Sequence, residues 1–309
     1  MNYDKIIQTV ETTHDAEMDA KREVPKYASF PFDECYEGQN EAIERIMEEE
    51  MSLLCSHTGS GKSAVFLTAA HELGLPTLVI EPRKFLQKQV GEYFGDFCIY
   101  GKGEYPCDFA PSAASAPCAI IFKHKGEKWF VDGEGKDRPY PCYGCKYIFA
   151  RIDARIVLKD KGVLICNFGN FWQYLKAAKF VVIDEADEFF RAISSSIKLE
   201  WVGINDLDID INLCAEMDNV AGDIEELNSK QSITQEEAKK LNKLKSKTEK
   251  ISFFRQNADL CFMYAKKKDM YVEIQPQRTP ILLNRLFKGK KVCIVTATPS
   301  AFMDVEKWK

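Results

Sequence analysis

The chain has 309 residues, 45% hydrophobic, 12% aromatic and 29% charged, a globular composition with material for one large core or two modest ones. Its 42 basic and 47 acidic side chains give a net charge of −5, which excludes coating nucleic acid by bulk charge but leaves room for a local basic track. No window approaches the roughly 18 unbroken apolar residues of a membrane span. The first thirty residues are too charged for a signal peptide, so the expectation is an intracellular protein without a membrane partner, cytoplasmic, or nuclear in a eukaryote.

Residues 1–28 are polar and acidic, with only Ile6, Ile7, Val10 and Met18 as scattered apolar positions, and predict a helix or ordered tail. From residue 30 short apolar runs alternate with amphipathic stretches: MSLLC (51–55), TLVIE (77–81), FCIY (97–100), GVLIC (162–166), FVVID (180–184) and KVCIVTA (291–297). Runs this apolar predict strands covered on both faces, hence an α/β fold built on a mostly parallel sheet with helices on both faces.

Two stretches break that rhythm. Between 104 and 146 lie Cys107, Cys118, Cys142 and Cys145 among glycines, prolines and aromatics, with little periodicity outside CAIIF (118–122). This predicts a small module held by ligands rather than by a core. Eleven cysteines are many for a reducing compartment and odd for a disulfide framework, so metal ligation is the reading for this cluster, while the other seven fit as small buried hydrophobes. Four thiolates suit zinc or an iron–sulfur centre equally, and their spacing leaves both open.

The second stretch, 196–279, repeats Leu213, Met217, Val220, Ile224 and Leu227, then Leu241, Leu244 and Ile251, the seam of a helical hairpin. Its turn falls near 228–234, with Thr234 and Glu237 spaced as a capping box. Residues 200–237 carry one basic and eleven acidic side chains, whereas 238–279 carry eleven basic and four acidic. Two helices neutralising each other is one reading; a basic helix facing nucleic acid is the other.

SHTGSGKS (56–63) follows a predicted strand and opens an apolar-faced helix, the context of a phosphate-binding loop. In the loop Thr58, Gly59, Ser60 and Gly61, the glycines allow backbone conformations a side chain would block, so that successive N–H groups meet a β-phosphate. Lys62 adds charge on the β- and γ-phosphates, and the Ser63 hydroxyl is placed to ligate Mg²⁺. FVVIDEAD (180–187) supplies the other half: Asp184 to hold Mg²⁺ and Glu185 to orient or deprotonate an attacking water. Together they predict nucleoside-triphosphate hydrolysis.

With these motifs in place, the sequence resembles helicases of superfamily two, in particular the iron–sulfur XPD/DinG-like branch. FPFDECYEGQNEAI (30–43) resembles the adenine-sensing element, with Gln39 at its glutamine; TLVIEPRKFLQKQV (77–90) resembles motif Ia, DEAD (184–187) motif II and TATPS (296–300) motif III. The loop departs from the usual pattern in having Ser56 for its first glycine, and Asp187 stands where the branch has histidine. There are 108 residues between Asp187 and Thr296, far more than a compact DEAD-box RNA helicase needs, and the two interrupting stretches resemble the cluster and Arch insertions of the branch.

The resemblance implies a RecA-like first motor domain (1–103, 147–195 and 280–309) carrying a cluster module (104–146) and an Arch-like helical insertion (196–279). It implies ATP and Mg²⁺, a [4Fe–4S] cluster on Cys107, Cys118, Cys142 and Cys145 with zinc as the alternative, and coupling through Thr296 and Thr298. It also implies 5′–3′ movement on single-stranded DNA, RNA remaining open, with Arg83 of motif Ia on a phosphate; within the module Lys125 is a phosphate candidate, and Tyr105, Phe109, Trp129, Tyr140 and Tyr143 are rings that either stack on bases or simply cover the cluster. After TATPS nine residues remain, so motifs IV–VI would come from a second motor domain in cis or trans, and the chain alone is expected to turn over little ATP. The competing expectation is a non-catalytic nucleic-acid-binding subunit.

Overall fold

The computed structural model describes residues 21–116, 118, 122–124, 127–132, 134–140, 144–193, 197–200, 209–230, 235–266, 271–276 and 284–297. Contacts divide the chain into two compact units, the first drawn from Met1–Gly101, Ala150–Ile193 and Phe287–Lys309, the second from Lys102–Phe149 and Ser194–Leu286. Both interrupting stretches therefore contribute to one unit.

A short ladder of β1 (Arg22–Glu23) on β2 (Cys35–Tyr36) precedes α1 (Gln39–Glu48), β3 (Met51–Cys55), α2 (Lys62–Leu73), β4 (Thr77–Ile80), α3 (Lys84–Phe94) and β5 (Phe97–Ile99). Next come β6 (Phe122–His124), β7 (Glu127–Val131) and β8 (Asp137–Pro139), then α4 (Lys146–Lys159), β9 (Val163–Cys166), α5 (Trp172–Leu175), β10 (Phe180–Ile183) and α6 (Ala186–Ile193). The remaining elements are β11 (Ile197–Glu200), α7 (Ile209–Ser229), α8 (Gln235–Gln256), β12 (Cys261–Lys266), β13 (Tyr271–Pro276) and β14 (Lys291–Thr296).

All six apolar runs become strands of one sheet, ordered β3-β14-β10-β4-β9-β5, and every pairing in it is parallel. Parallel strands need crossovers, and the intervening helices supply them, covering strands whose residues (Leu78 to Ile80, Phe180 to Ile183) are fully buried. The fold is thus α/β and RecA-like. Phe66 and Leu67 of α2 enter the core with Ile43 of α1, Val79, Phe180 and Val295. Burying each such large side chain contributes about 1.5–3 kcal/mol, enough to fix where α2 begins relative to the strand ends. All six strands run the same way, so Ser56, Glu81, Asp184 and Thr296 gather along a single edge.

In the second unit, α7 and α8 form the hairpin, and the predicted seam is what they bury: Leu213, Val220, Leu227, Leu241 and Ile251, joined by Phe254 and Ile274. Lys247 pairs with Glu216 and Lys240 lies 3.7 Å from Asp223, so basic α8 meets acidic α7 as complementary partners. Thr234 of the expected capping box lies outside the described residues. The hairpin does not fill its stretch, because β11, β13 and β12 form an antiparallel sheet flanking it. The cysteine-bearing stretch also holds a three-stranded antiparallel sheet, β6-β7-β8, and the fully buried Phe130, which gives it some core of its own.

Candidate functional site

The loop after β3 begins with Ser56, whose N–H donates to the Thr296 carbonyl at 3.3 Å, so the last residue of β14 anchors its first residue. Ser60 folds back through its N–H (3.4 Å) and hydroxyl (2.8 Å) onto the His57 carbonyl, while Thr58 and Gly59 stay exposed at the crown. Gly59 and Gly61 have φ of 90° and 76°, the left-handed region that β-carbons penalise. Gly61 precedes α2 without a side-chain cap, so the N–H groups of the first turn, where Ser63 also sits, are donors for an anion. Lys62 Nζ donates to the Ser56 and His57 carbonyls, 2.8 Å each, and bridges the mouth of the loop. Burial lowers the pKa of this ammonium, against the pull of Asp184 and Glu185.

Gln39, at the head of α1, accepts the Tyr36 N–H at 2.9 Å and donates to the Ser60 carbonyl at 2.8 Å. It braces the loop from behind.

Asp184 follows β10. Its N–H donates to the Ile80 carbonyl at 3.0 Å, and its Oδ1 accepts the Glu185 N–H at 2.9 Å. Beside it, immediately after β4, stands a carboxylate that the motifs did not single out: Glu81, fully buried and facing Asp184. Burial first, then the Asp184 charge, pushes the Glu81 carboxyl up to about 9, and burial also raises Asp184. Glu185 is half-buried, with a φ of 46° at the head of α6, and its carboxyl is raised by burial and then by Asp184.

The signal for Glu81 was present in the sequence, since TLVIE and FVVID each end an apolar run in an acid; the register that sets them side by side was not. Thr296 is buried at its strand end, whereas Thr298 lies outside the described residues. Arg83 caps the start of α3 and is paired with Glu188 of α6, another partner absent from the motifs.

In the second unit Cys118 is pushed up to about 11, first by burial and then by the neighbouring Cys145 and Cys107 thiols. Among the described residues no group of three is close enough to hold an ion; Cys142, Lys125 and Tyr143 lie outside them. Two stacking candidates pack inward, Tyr105 on Tyr147 at 5.4 Å between ring centroids and Phe109 on Phe130 at 5.6 Å. Tyr140 is half-buried, and Trp129 pairs with Phe122 and Pro139 in the ladder.

A glycine loop at the head of a helix thus shares one sheet edge with the acids of DEAD. Residues 36–110 match the DEAD/DEAH box helicase family. The matched segment runs from the end of β2 through the glycine loop and α3 to just beyond β5. No curated protein matches the chain significantly in sequence. Among solved structures the chain is similar to an XPD helicase (14% identity, 88% of this chain and 59% of that one, TM-score 0.43) and to a truncated XPD (15% identity, 88% and 96%, TM-score 0.40). It is also similar to an XPD apoprotein (12% identity, 86% and 54%, TM-score 0.39). The chain therefore spans 59% of the length of the first of these.

Proposed function

We propose that this chain contains the first motor domain of an ATP-dependent DNA helicase of the XPD/DinG-like branch, working 5′–3′ on single-stranded DNA with a second motor domain. The observation that carries the reading is topological: the loop of Lys62 leaves the end of β3, and Asp184 and Glu185 leave the same end of β10, with β14 between these parallel strands. One cation near phosphate positions and two acids close by are what phosphoryl transfer to water requires.

In this reading the loop N–H groups and Lys62 bind the β- and γ-phosphates, Lys62 leaving its two carbonyl partners to do so. Gln39 orients the loop and the base edge, Glu185 takes the proton of the attacking water, and Thr296 and Thr298 carry the nucleotide state onward. Ser63 and Asp184 would hold magnesium; their hard oxygen donors fit it. Bound magnesium neutralises charge developing on the transferred phosphoryl group. Cys118 has Cys107 and Cys145 as neighbours, and with Cys142 these are the four thiolates of the centre in this reading. A [4Fe–4S] cluster there would tie the 104–146 module together, and zinc is the alternative. The motor would then comprise 1–103, 147–195 and 280–309, with 196–279 as the Arch-like insertion, and Arg83 and Lys125 would meet nucleic-acid phosphates.

The test is calorimetric and kinetic. Lys62→Ala should abolish ATP binding, whereas Glu185→Gln should bind ATP and lose DNA-stimulated hydrolysis once the second motor domain is supplied. Nucleotide affinity unchanged in Lys62→Ala overturns the site. Binding without turnover in the wild-type assembly leaves a nucleic-acid-binding subunit instead.

A further inference from the structure

We propose that Glu81 is a second carboxylate ligand of the divalent cation at the nucleotide site, beside Asp184. The inference rests on the nucleotide reading and adds to it a residue from a different strand.

The parallel register of β4 on β10 pairs Ile80 with Ile183, so the next residue of each chain, Glu81 and Asp184, emerges side by side on the edge that carries the phosphate loop. The main chain holds Glu81 on both sides. Its N–H donates to the Cys166 carbonyl at 2.9 Å, and its carbonyl accepts from Gln87 Nε2 at 2.7 Å. One carboxylate oxygen, Oε1, accepts the Arg83 N–H at 3.1 Å. The other, Oε2, is buried and meets no donor among the described residues, while the carboxyl as a whole faces that of Asp184.

An acid kept only for structure is normally completed by N–H or O–H donors or by a basic side chain. Here the nearby base is otherwise engaged, because Lys62 Nζ is hydrogen-bonded to the Ser56 and His57 carbonyls. A fixed, desolvated carboxylate with one oxygen uncompleted, beside a second carboxylate, is half of a hard-cation site. Asp184 supplies the other half, and Ser63, at the start of α2, is the hydroxyl on the same loop. A magnesium ion carrying nucleotide oxygens and waters would find two carboxylates rather than one, and would cancel the repulsion between them.

The experiment is a Mn²⁺ titration of the full chain followed by electron paramagnetic resonance, with and without ADP, alongside ADP binding in EDTA. Glu81→Gln keeps the shape and removes the charge, so it separates ligation from packing. It should weaken Mn²⁺ binding about tenfold or more, with ADP affinity in EDTA unchanged. Wild-type Mn²⁺ affinity in Glu81→Gln overturns the proposal and makes Glu81 only an orienting partner of Asp184. Should Glu81→Gln not fold, Glu81→Asp, which withdraws the carboxylate by one methylene, should still bind Mn²⁺ less tightly, and equal affinity there is the contrary result. If wild type binds no ADP even in EDTA, the nucleotide reading fails, and the titrations with Mn²⁺ alone judge Glu81 independently.

Discussion

The Arg83 guanidinium, at the head of α3, binds the Glu188 carboxylate on α6, with Nε 3.2 Å from Oε1. The residue offered to a nucleic-acid phosphate is therefore already held by the helix that follows the DEAD acids. Any phosphate must compete with Glu188 for it. Glu188→Gln should raise the affinity for labelled single-stranded DNA at low salt, and Arg83→Ala should lower it and flatten the log–log salt slope by about 0.7, the increment for one phosphate contact on a single strand. Fluorescence anisotropy across a salt series reads both, and identical slopes in all three proteins would remove Arg83 from the interface.

Gly61 has little room for a side chain: a β-carbon there would lie 2.5 Å from Gln39 Nε2, on a backbone with φ of 76°. Gly61→Ala should cost about 1–3 kcal/mol in urea unfolding, from left-handed strain together with displacement of Gln39. Adding Gln39→Ala should relieve the collision and leave the strain, so the double mutant should recover only part of the loss. Full recovery would mean that the φ value contributes nothing.

Cys293 and Cys166 are completely buried, and burial pushes Cys293 up to about 12 and Cys166 higher still. Their folded values exceed the unfolded one, so their contribution is whole below the ordinary thiol range and is lost as pH rises through it toward the folded value. Between pH 9 and 10.5 each such thiol should cost the fold about 2 kcal/mol as the unfolded chain ionises. Cys293→Val should lose correspondingly less stability over that interval, as read by urea melts at the two pH values. An identical loss in wild type and variant would show that Cys293 ionises in place.

Protein purified without oxygen should be brown and contain iron with acid-labile sulfide. Cys107→Ser and Cys145→Ser should each bleach it, because a neighbour of Cys118 would no longer serve as a thiolate ligand. One zinc per chain and no iron, by elemental analysis, would keep the ligands and replace the cluster.

The sequence announced the six strands of the large sheet because burial on both faces writes itself as unbroken apolar runs, as in FVVI or VLIC. The hairpin seam was equally plain, Leu213 and Ile251 recurring at helical spacing and ending fully buried. Lateral order was not legible. Nothing in TLVIE says that it lies next to FVVID, since crossover helices and not local residues choose a strand's neighbour, and so the Glu81–Asp184 pair was hidden. The small antiparallel strands escaped for another reason. Phe122–His124 and Asp137–Pro139 have three residues each, too few for alternation to register, and CFMYAK continues from α8 without a clear change of period.

The position of β14 between β3 and β10 bears on how the protein is made. Among the described residues β3 sits at the end of the sheet and pairs with β14 alone, yet 235 residues separate Cys55 from Lys291. At about 5–20 residues per second, synthesis leaves the phosphate-loop strand without its neighbour for roughly 10–50 s. Throughout that interval the nascent chain exposes two apolar strand edges, on β3 and β10, that only the late strand can fill. Misannealing of these two edges with each other is the natural error, and a chaperone occupying one of them until residue 296 emerges is the natural remedy.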